Sequence, residues 1–183
     1  MPVAKLIAKS PLSGMLPFET AGARLAESDP GPIFSLQPFA GKGAALSKAL
    51  KKAHGVSFPA PGQSLSGKGC RIVWSAREQA FLLGAVADGG LADHGAVTDQ
   101  SDGWAVMALQ GPTAEAVLAR LCPLDLRLLS FPVGKTARSQ VQHVAALIHR
   151  TAPDAFDIMV MRSFGATAVH DIATAMKALA ARG

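Results

Sequence analysis

Tyrosine is absent from this 183-residue chain, and Phe with Trp brings the aromatic content to only 5%. So few rings leave little of the stacking surface that a single-strand nucleic-acid binder uses. Cysteine is almost as scarce. Cys70 and Cys122 stand far apart with no CxxC spacing, which points away from a zinc site or a redox pair and toward two small buried hydrophobes. No run of about twenty apolar residues occurs, so no membrane-spanning helix is expected. The apolar residues within Met1–Lys9 are too few for a secretory leader, and a cytoplasmic protein is expected. Charged residues make up 17%, with Lys+Arg 18 against Asp+Glu 13, a net charge of +5. The positive charges are scattered, and their densest group, Lys48, Lys51 and Lys52, reads as the solvated face of a short helix. Nucleic acid is therefore not an expected partner.

What the chain does have is one arrangement twice. Ser35-Leu36-Gln37 leads through an Ala/Leu/Lys stretch to Phe58-Pro59 and then to Ala80-Phe81; Ala108-Leu109-Gln110 leads through Ala/Leu/Arg to Phe131-Pro132 and then to Ala155-Phe156. The landmark pairs are offset by 73, 73 and 75 residues, far beyond the period of a solenoid. The expected fold is α+β, built from duplicated β-α-β-β units with largely antiparallel sheets. Pseudo-repeats at about 20–90 and 97–183 would form a single domain at 20–183, preceded by an extended arm at 1–19 rich in Pro and Gly. A chain of this length buries roughly 70% of the surface its unfolded form exposes, so the core needs no disulfide. Hydrophobic content of 49% is high, and reflects either a surface that meets another subunit or the abundance of Ala.

Along the chain, a strand is expected at 20–26 with its neighbour at 33–39. Leu46 and Leu50, four apart, predict a helix over 43–54 stopped by Gly55. Residues 58–69 read as loop, 70–74 and 79–84 as a hairpin. Strands at 97–101 and 104–109 flank the turn signal Asp102-Gly103, and Pro112 suits the first position of the next helix. A second hairpin runs over 139–150 and 155–161. The last helix, at about 165–181, places Val169, Ile172, Met176 and Leu179 on one face.

No catalytic constellation emerges from spacing. Gly62 through Gly69 imitates a phosphate loop, but its last residue is Gly where a hydroxyl would hold magnesium, and prolines precede it where a strand is needed. Gly41-Lys42-Gly43 lacks the third glycine of a dinucleotide fingerprint. No Gly-x-Ser-x-Gly elbow exposes a serine. His143 and His149, six apart on a strand, would lie roughly 20 Å from each other, too far for one metal; both read as solvated or core imidazoles. The densest polar cluster beside a strand is Thr98 through Trp104. There Asp99, Gln100 and Asp102 either accept hydrogen bonds from the amino groups of a ligand such as a pterin or cap their own turn.

Several blocks resemble a known family. They are Thr98-Asp99-Gln100-Ser101-Asp102-Gly103-Trp104, Leu109-Gln110-Gly111-Pro112 through Leu126, Phe131 through Arg138, and Asp154 through Phe164. Over roughly 97–175 they are similar to the gamma subunit of heterotetrameric sarcosine oxidase, itself related to the folate-binding domain of glycine-cleavage aminomethyltransferases. The resemblance implies a noncatalytic or assisting subunit of a complex that demethylates sarcosine to glycine, with tetrahydrofolate carried to its 5,10-methylene form and hydrogen peroxide released. It implies alpha, beta and delta subunits as partners, and FAD, FMN, NAD and tetrahydrofolate on those subunits, with none bound by this chain alone. Leu6, Leu12, Phe18, Trp104, Arg138 and Arg162 are then candidate subunit contacts. A stand-alone tetrahydrofolate-binding protein of one-carbon metabolism is the alternative.

Overall fold

The computed structural model describes residues 9–182. The elements in chain order are β1 (Phe18–Thr20), β2 (Ala23–Glu27), β3 (Ile33–Pro38), α1 (Gly43–His54), β4 (Ser64–Ser66), β5 (Arg71–Ala76), β6 (Gln79–Leu83), β7 (Gly95–Asp99), β8 (Trp104–Gln110), α2 (Ala114–Leu118), β9 (Thr136–Val141), β10 (Val144–Ala152), β11 (Ala155–Met161) and α3 (Gly165–Ala180). They build an antiparallel six-stranded sheet in the order β1-β2-β8-β11-β10-β9 and an antiparallel five-stranded sheet in the order β4-β5-β6-β3-β7. The central strands β6, β8, β10 and β11 are mostly buried, while the edge strands β1 and β4 are not.

Successive strand side chains point to opposite faces, so one strand can serve two cores. In β11, Phe156, Ile158 and Val160 join α2 and α3 in one core, while Met159 joins a second core between the sheets. In β6, Ala80 and Leu82 pack toward α1 and Phe81 and Leu83 face the other sheet. The result is four layers, helix, sheet, sheet, helix, with Ile33, Val73, Phe81 and Leu83 meeting Trp104, Val106, Leu147 and Met159 at the centre. The near-continuous apolar runs of β10 and β11 follow from this double burial. Truncating a fully buried aliphatic such as Leu36 or Ile148 to Ala costs about 2–5 kcal/mol.

Helix α1 lays Leu46 and Leu50 into its core and ends at Gly55, whose left-handed φ of 73° lets its N–H close on Lys51 O at 3.1 Å. Gly111, at φ +120°, permits a close approach at the exit of β8: a Cβ there would sit 2.4 Å from Gly22 O.

The duplication is present, with a reciprocal exchange. The order β4-β5-β6-β3 in one sheet is matched by β9-β10-β11-β8 in the other. Each unit's leading strand crosses over: β2, just before β3, pairs with β8, and β7, just before β8, pairs with β3. Expected strand neighbours at 20–26 and 33–39 are therefore in different sheets, and Ser101–Gly103 is a 3₁₀ turn between sheets rather than a hairpin turn. Both hairpins carry their irregularity beside the turn, pairing Ala76 with Gln79 and Ala152 with Ala155, so structural equivalence in the hairpins is an offset of 155 − 79 = 76. Phe81 thus corresponds to Asp157, and Phe156 to Ala80. One residue of slip moves a side chain to the opposite face.

Three smaller readings change as well. Residues 58–69 contain β4, which pairs with β5. The run 139–150 is broken by a turn in which Gln142 takes φ 53°, giving two strands, β9 and β10, instead of one. Helix α2 starts at Ala114, two residues after Pro112.

Candidate functional site

The polar cluster singled out from the sequence is a self-capped turn. Asp99 Oδ1 accepts from the backbone N–H of Ser101 at 2.9 Å and from its hydroxyl at 2.7 Å, and those bonds hold the Asp99 carboxyl below its ordinary value. The Gln100 N–H is spent on Ile33 O at 2.8 Å, and Asp102 is exposed with no hydrogen-bonding partner for its carboxylate among the described residues. Ser101 Oγ, in turn, accepts from the Ile33 N–H at 3.1 Å and ties this turn to the start of β3.

The candidate contact residues are dispersed. Leu6 lies outside the described residues. Leu12 is fully buried in the chain's own core beside Gly165. Phe18 is half-buried with the Lys177 ammonium 5.3 Å from its ring centroid. Trp104 packs edge-on to Phe81 at 5.1 Å in the inter-sheet core. Arg162 is exposed and donates to Lys9 O at 2.6 Å, and Arg138 is exposed on β9. Since β1 and β9 are opposite edges of the six-stranded sheet, Phe18 and Arg138 lie on the order of 24 Å apart in the sheet direction. Trp104 and Arg162 do share one groove, of about 520 Å³.

A second cluster escaped the sequence reading. His149 on β10 and Asp157 on β11 are cross-strand partners facing the inter-sheet space, and Arg71 of β5 reaches them from the opposite sheet. Arg71 Nη1 donates to Asp157 Oδ2 at 2.9 Å and stands 3.1 Å from His149 Nδ1, while His149 Nε2 is 2.8 Å from Ser64 Oγ. Because a guanidinium only donates, Nδ1 accepts and the ring proton sits on Nε2, directed at Ser64. The Ser64 hydroxyl then gives its own proton to Gly134 O at 3.0 Å. Burial pushes the Asp157 carboxyl up, but the Arg71 guanidinium bonded to Oδ2 offsets it and the group is held below the ordinary carboxylate range.

That polarity runs opposite to hydrolytic catalysis. A serine nucleophile needs Nε2 free to take its proton and a carboxylate bonded to Nδ1–H. Here Nδ1 and Asp157 Oδ2 are 3.9 Å apart, with Arg71 bonded to both. The cluster braces the two sheets electrostatically. It closes one end of an inter-sheet cleft of about 390 Å³ whose apolar wall is Val73, Leu83, Val106 and Met159. The signal for it was the pair of lone polar residues in apolar strands, which the 152–154 turn sets opposite each other; Arg71 required the sheet packing.

Arg150, by contrast, is fully buried on the helix side of β10. Its guanidinium lies 4.4 Å from the Phe156 ring centroid, bonds Glu115 Oε2 at 2.9 Å, and also donates to the Leu126 and Pro153 carbonyls. Burial pushes both cysteine thiols up, which disfavours the thiolate nucleophile. Among the described residues no group of three His, Cys, Asp or Glu is placed to hold a metal, and no helix is long and apolar enough to cross a membrane.

Four layers with exchanged leading strands define a class. Residues 73–182 match the GCVT N-terminal domain, and the fold is similar to that of glycine cleavage system aminomethyltransferase T from Bartonella henselae, with a TM-score of 0.60 at 16% identity over 82% of this chain and 45% of that one. Within the class, the chain is 31% identical to sarcosine oxidase subunit gamma of Corynebacterium sp. (strain U-96), over 73% of its own length and 70% of the relative's. It is 28% identical to the Arthrobacter sp. subunit gamma, over 73% and 71%. It also matches a chain of the heterotetrameric sarcosine oxidase from Corynebacterium sp. U-96, solved with pyrrole 2-carboxylate, at a TM-score of 0.78 and 26% identity, over 94% of this chain and 96% of that one. The chain belongs to the sarcosine oxidase subunit gamma family.

Proposed function

We propose that this chain is a noncatalytic or assisting gamma subunit of a cytoplasmic heterotetrameric sarcosine oxidase, which oxidatively demethylates sarcosine to glycine. The carrying observation is the near end-to-end correspondence, 94% and 96% of the two chains, with a chain of a solved heterotetramer. In this reading its partners are the alpha, beta and delta subunits. FAD, FMN, NAD and tetrahydrofolate reside on those subunits; a flavin there takes a hydride from the N-methyl group and the resulting imine carbon passes to tetrahydrofolate. The bonding of Ser64, His149, Arg71 and Asp157 supports a bracing role, because the His149 and Ser64 protons run in the direction a hydrolytic reaction would have to reverse, while Arg71 joins Asp157 across the sheets.

The test is co-expression with alpha, beta and delta subunits. The chain co-purifies with them in an active complex, whereas alone it is colourless and oxidises no sarcosine. Bound flavin with turnover by the chain alone would overturn the reading, as would failure to co-purify. Calorimetry with folinic acid addresses the stand-alone alternative, since micromolar binding needs about 8 kcal/mol. If such binding occurs, Asp99, Gln100 and Asp102 are the proposed acceptors for the ligand's amino groups, and Asp102→Ala weakens it.

A further inference from the structure

The long connection between α2 and β9 holds three large aliphatics in water although it is internally pinned. Leu129 is 98% exposed, Val133 51% and Leu128 48%. Leu126 and Phe131 anchor the same segment in the helix-side core. Asp125 accepts from the Arg127 guanidinium at 2.6 and 2.8 Å and from Ser130 Oγ at 2.7 Å, and buried Arg150 holds the Leu126 carbonyl. A segment fixed at both ends and across its middle, with its aliphatics outward, pays little ordering entropy when those side chains are covered. Exposed aliphatics grouped on an ordered loop mark a contact site.

Beside Val133 opens a recess of about 260 Å³, lined by Ser64, Ser66, Arg71, Gly134 and His149 among others, and no carboxylate lines it. Only Nη1 of Arg71 is engaged among the described residues, which leaves the Nε and Nη2 edge, the one that pairs with carboxylates in a bidentate fork. In residues 120–138 the charges are Arg120, Arg127, Lys135 and Arg138 against Asp125 alone.

The geometry points to a docking surface made of Leu128, Leu129, Val133 and the Arg71 recess, whose occupant is a segment of another subunit of the oxidase that carries a carboxylate side chain flanked by apolar ones. This rests on the gamma-subunit reading. It places the contact on the β4–β9 side of the molecule, away from the groove of Trp104 and Arg162.

The experiment is capture of the full-length chain on a tagged alpha–beta–delta assembly, with Leu129→Ser, Leu129→Asp, Leu129→Lys and, as a control on a different loop, Val86→Ser at a 68% exposed position. Thermal unfolding of each variant shows that it folds as the wild type does. Leu129→Ser lowers the affinity at least ~10-fold, as removal of an interface anchor does; Leu129→Asp weakens it further than Leu129→Lys, because a carboxylate comes from the partner; Val86→Ser leaves it unchanged. Wild-type retention by all the Leu129 variants overturns the inference, as does equal loss in Val86→Ser, or Leu129→Asp binding as well as Leu129→Lys. If Leu129→Ser merely turns a self-associating chain into a monomer while capture is unchanged, a second copy is the occupant and the inference falls. Failure of the wild type itself to be captured counts against the gamma-subunit reading instead.

Discussion

Corresponding inward positions of the two halves are filled in opposite ways. At an offset of 76 residues, Val73 and Phe81 of the first half answer to His149 and Asp157 of the second, and all four face the space between the sheets. The first pair is satisfied by apolar contact. The second pair requires a cation, and Arg71 supplies it from the first half, where its own counterpart is the apolar Leu147. A duplicated frame therefore tolerates a change of side-chain chemistry at one end of its central core, provided the missing charge comes from across the sheets. Alternation of burial preserves the frame, while the polar network belongs to both halves at once.

The largest effect comes from separating the halves. Because β2 completes the sheet of β8 and β7 that of β3, each half expressed alone leaves a long strand edge unpaired. Residues 95–183 alone are expected to give a collapsed amide NMR spectrum, and a well-dispersed one would show that the exchange is dispensable. Next in size is Arg150→Ala. It removes the group stacked on Phe156 and leaves Glu115 and two carbonyls without their donor, at a cost of about 3 kcal/mol read from urea midpoints. A loss under about 1 kcal/mol would show that the guanidinium matters no more than an ordinary surface side chain, despite being fully buried where its counterpart Trp74 is only half-buried.

Asp157→Asn sharpens the contrast between the inward pairs. It leaves the Arg71 guanidinium without its counter-charge and costs about 1–3 kcal/mol. Since the folded carboxyl lies below its unfolded value, its stabilisation is present above about pH 4 and is lost as pH falls through the lowered folded value. The wild-type urea midpoint thus declines in acid more steeply than that of Asp157→Asn; parallel curves would remove the electrostatic role of the pair. The smallest effect is that of Ser64→Ala, about 1 kcal/mol for a hydroxyl bonded to His149 and Gly134.

Legibility followed the range of the interactions. Helix α1 and its Gly55 stop, the helix-side stripe of α3 and both hairpin turns were readable because periodicity and turn chemistry act within a few residues. The pairing of β2 and β7 was not. Ser28–Gly31 and Ser101–Gly103 look like local turns, and nothing in either segment says that the strand before it belongs to the other sheet. By residue type the landmark Phe156 answers to Phe81, whereas the hairpin register aligns it with Ala80. The Pro and Gly around Leu12 show no period and point to a docking arm; its burial depends on a hole beside Gly165 that exists only once α3 is in place.

By itself the sequence determined the α+β class, the duplication and the family blocks, since each is carried by spacing along the chain. Tertiary structure alone decided which half supplies each outer strand, that Arg71 completes the His149–Asp157 pair, and that Leu129 stays in water while Leu126 does not. Those outcomes depend on contacts between segments tens of residues apart, whose geometry is set only when two twisted sheets pack face to face.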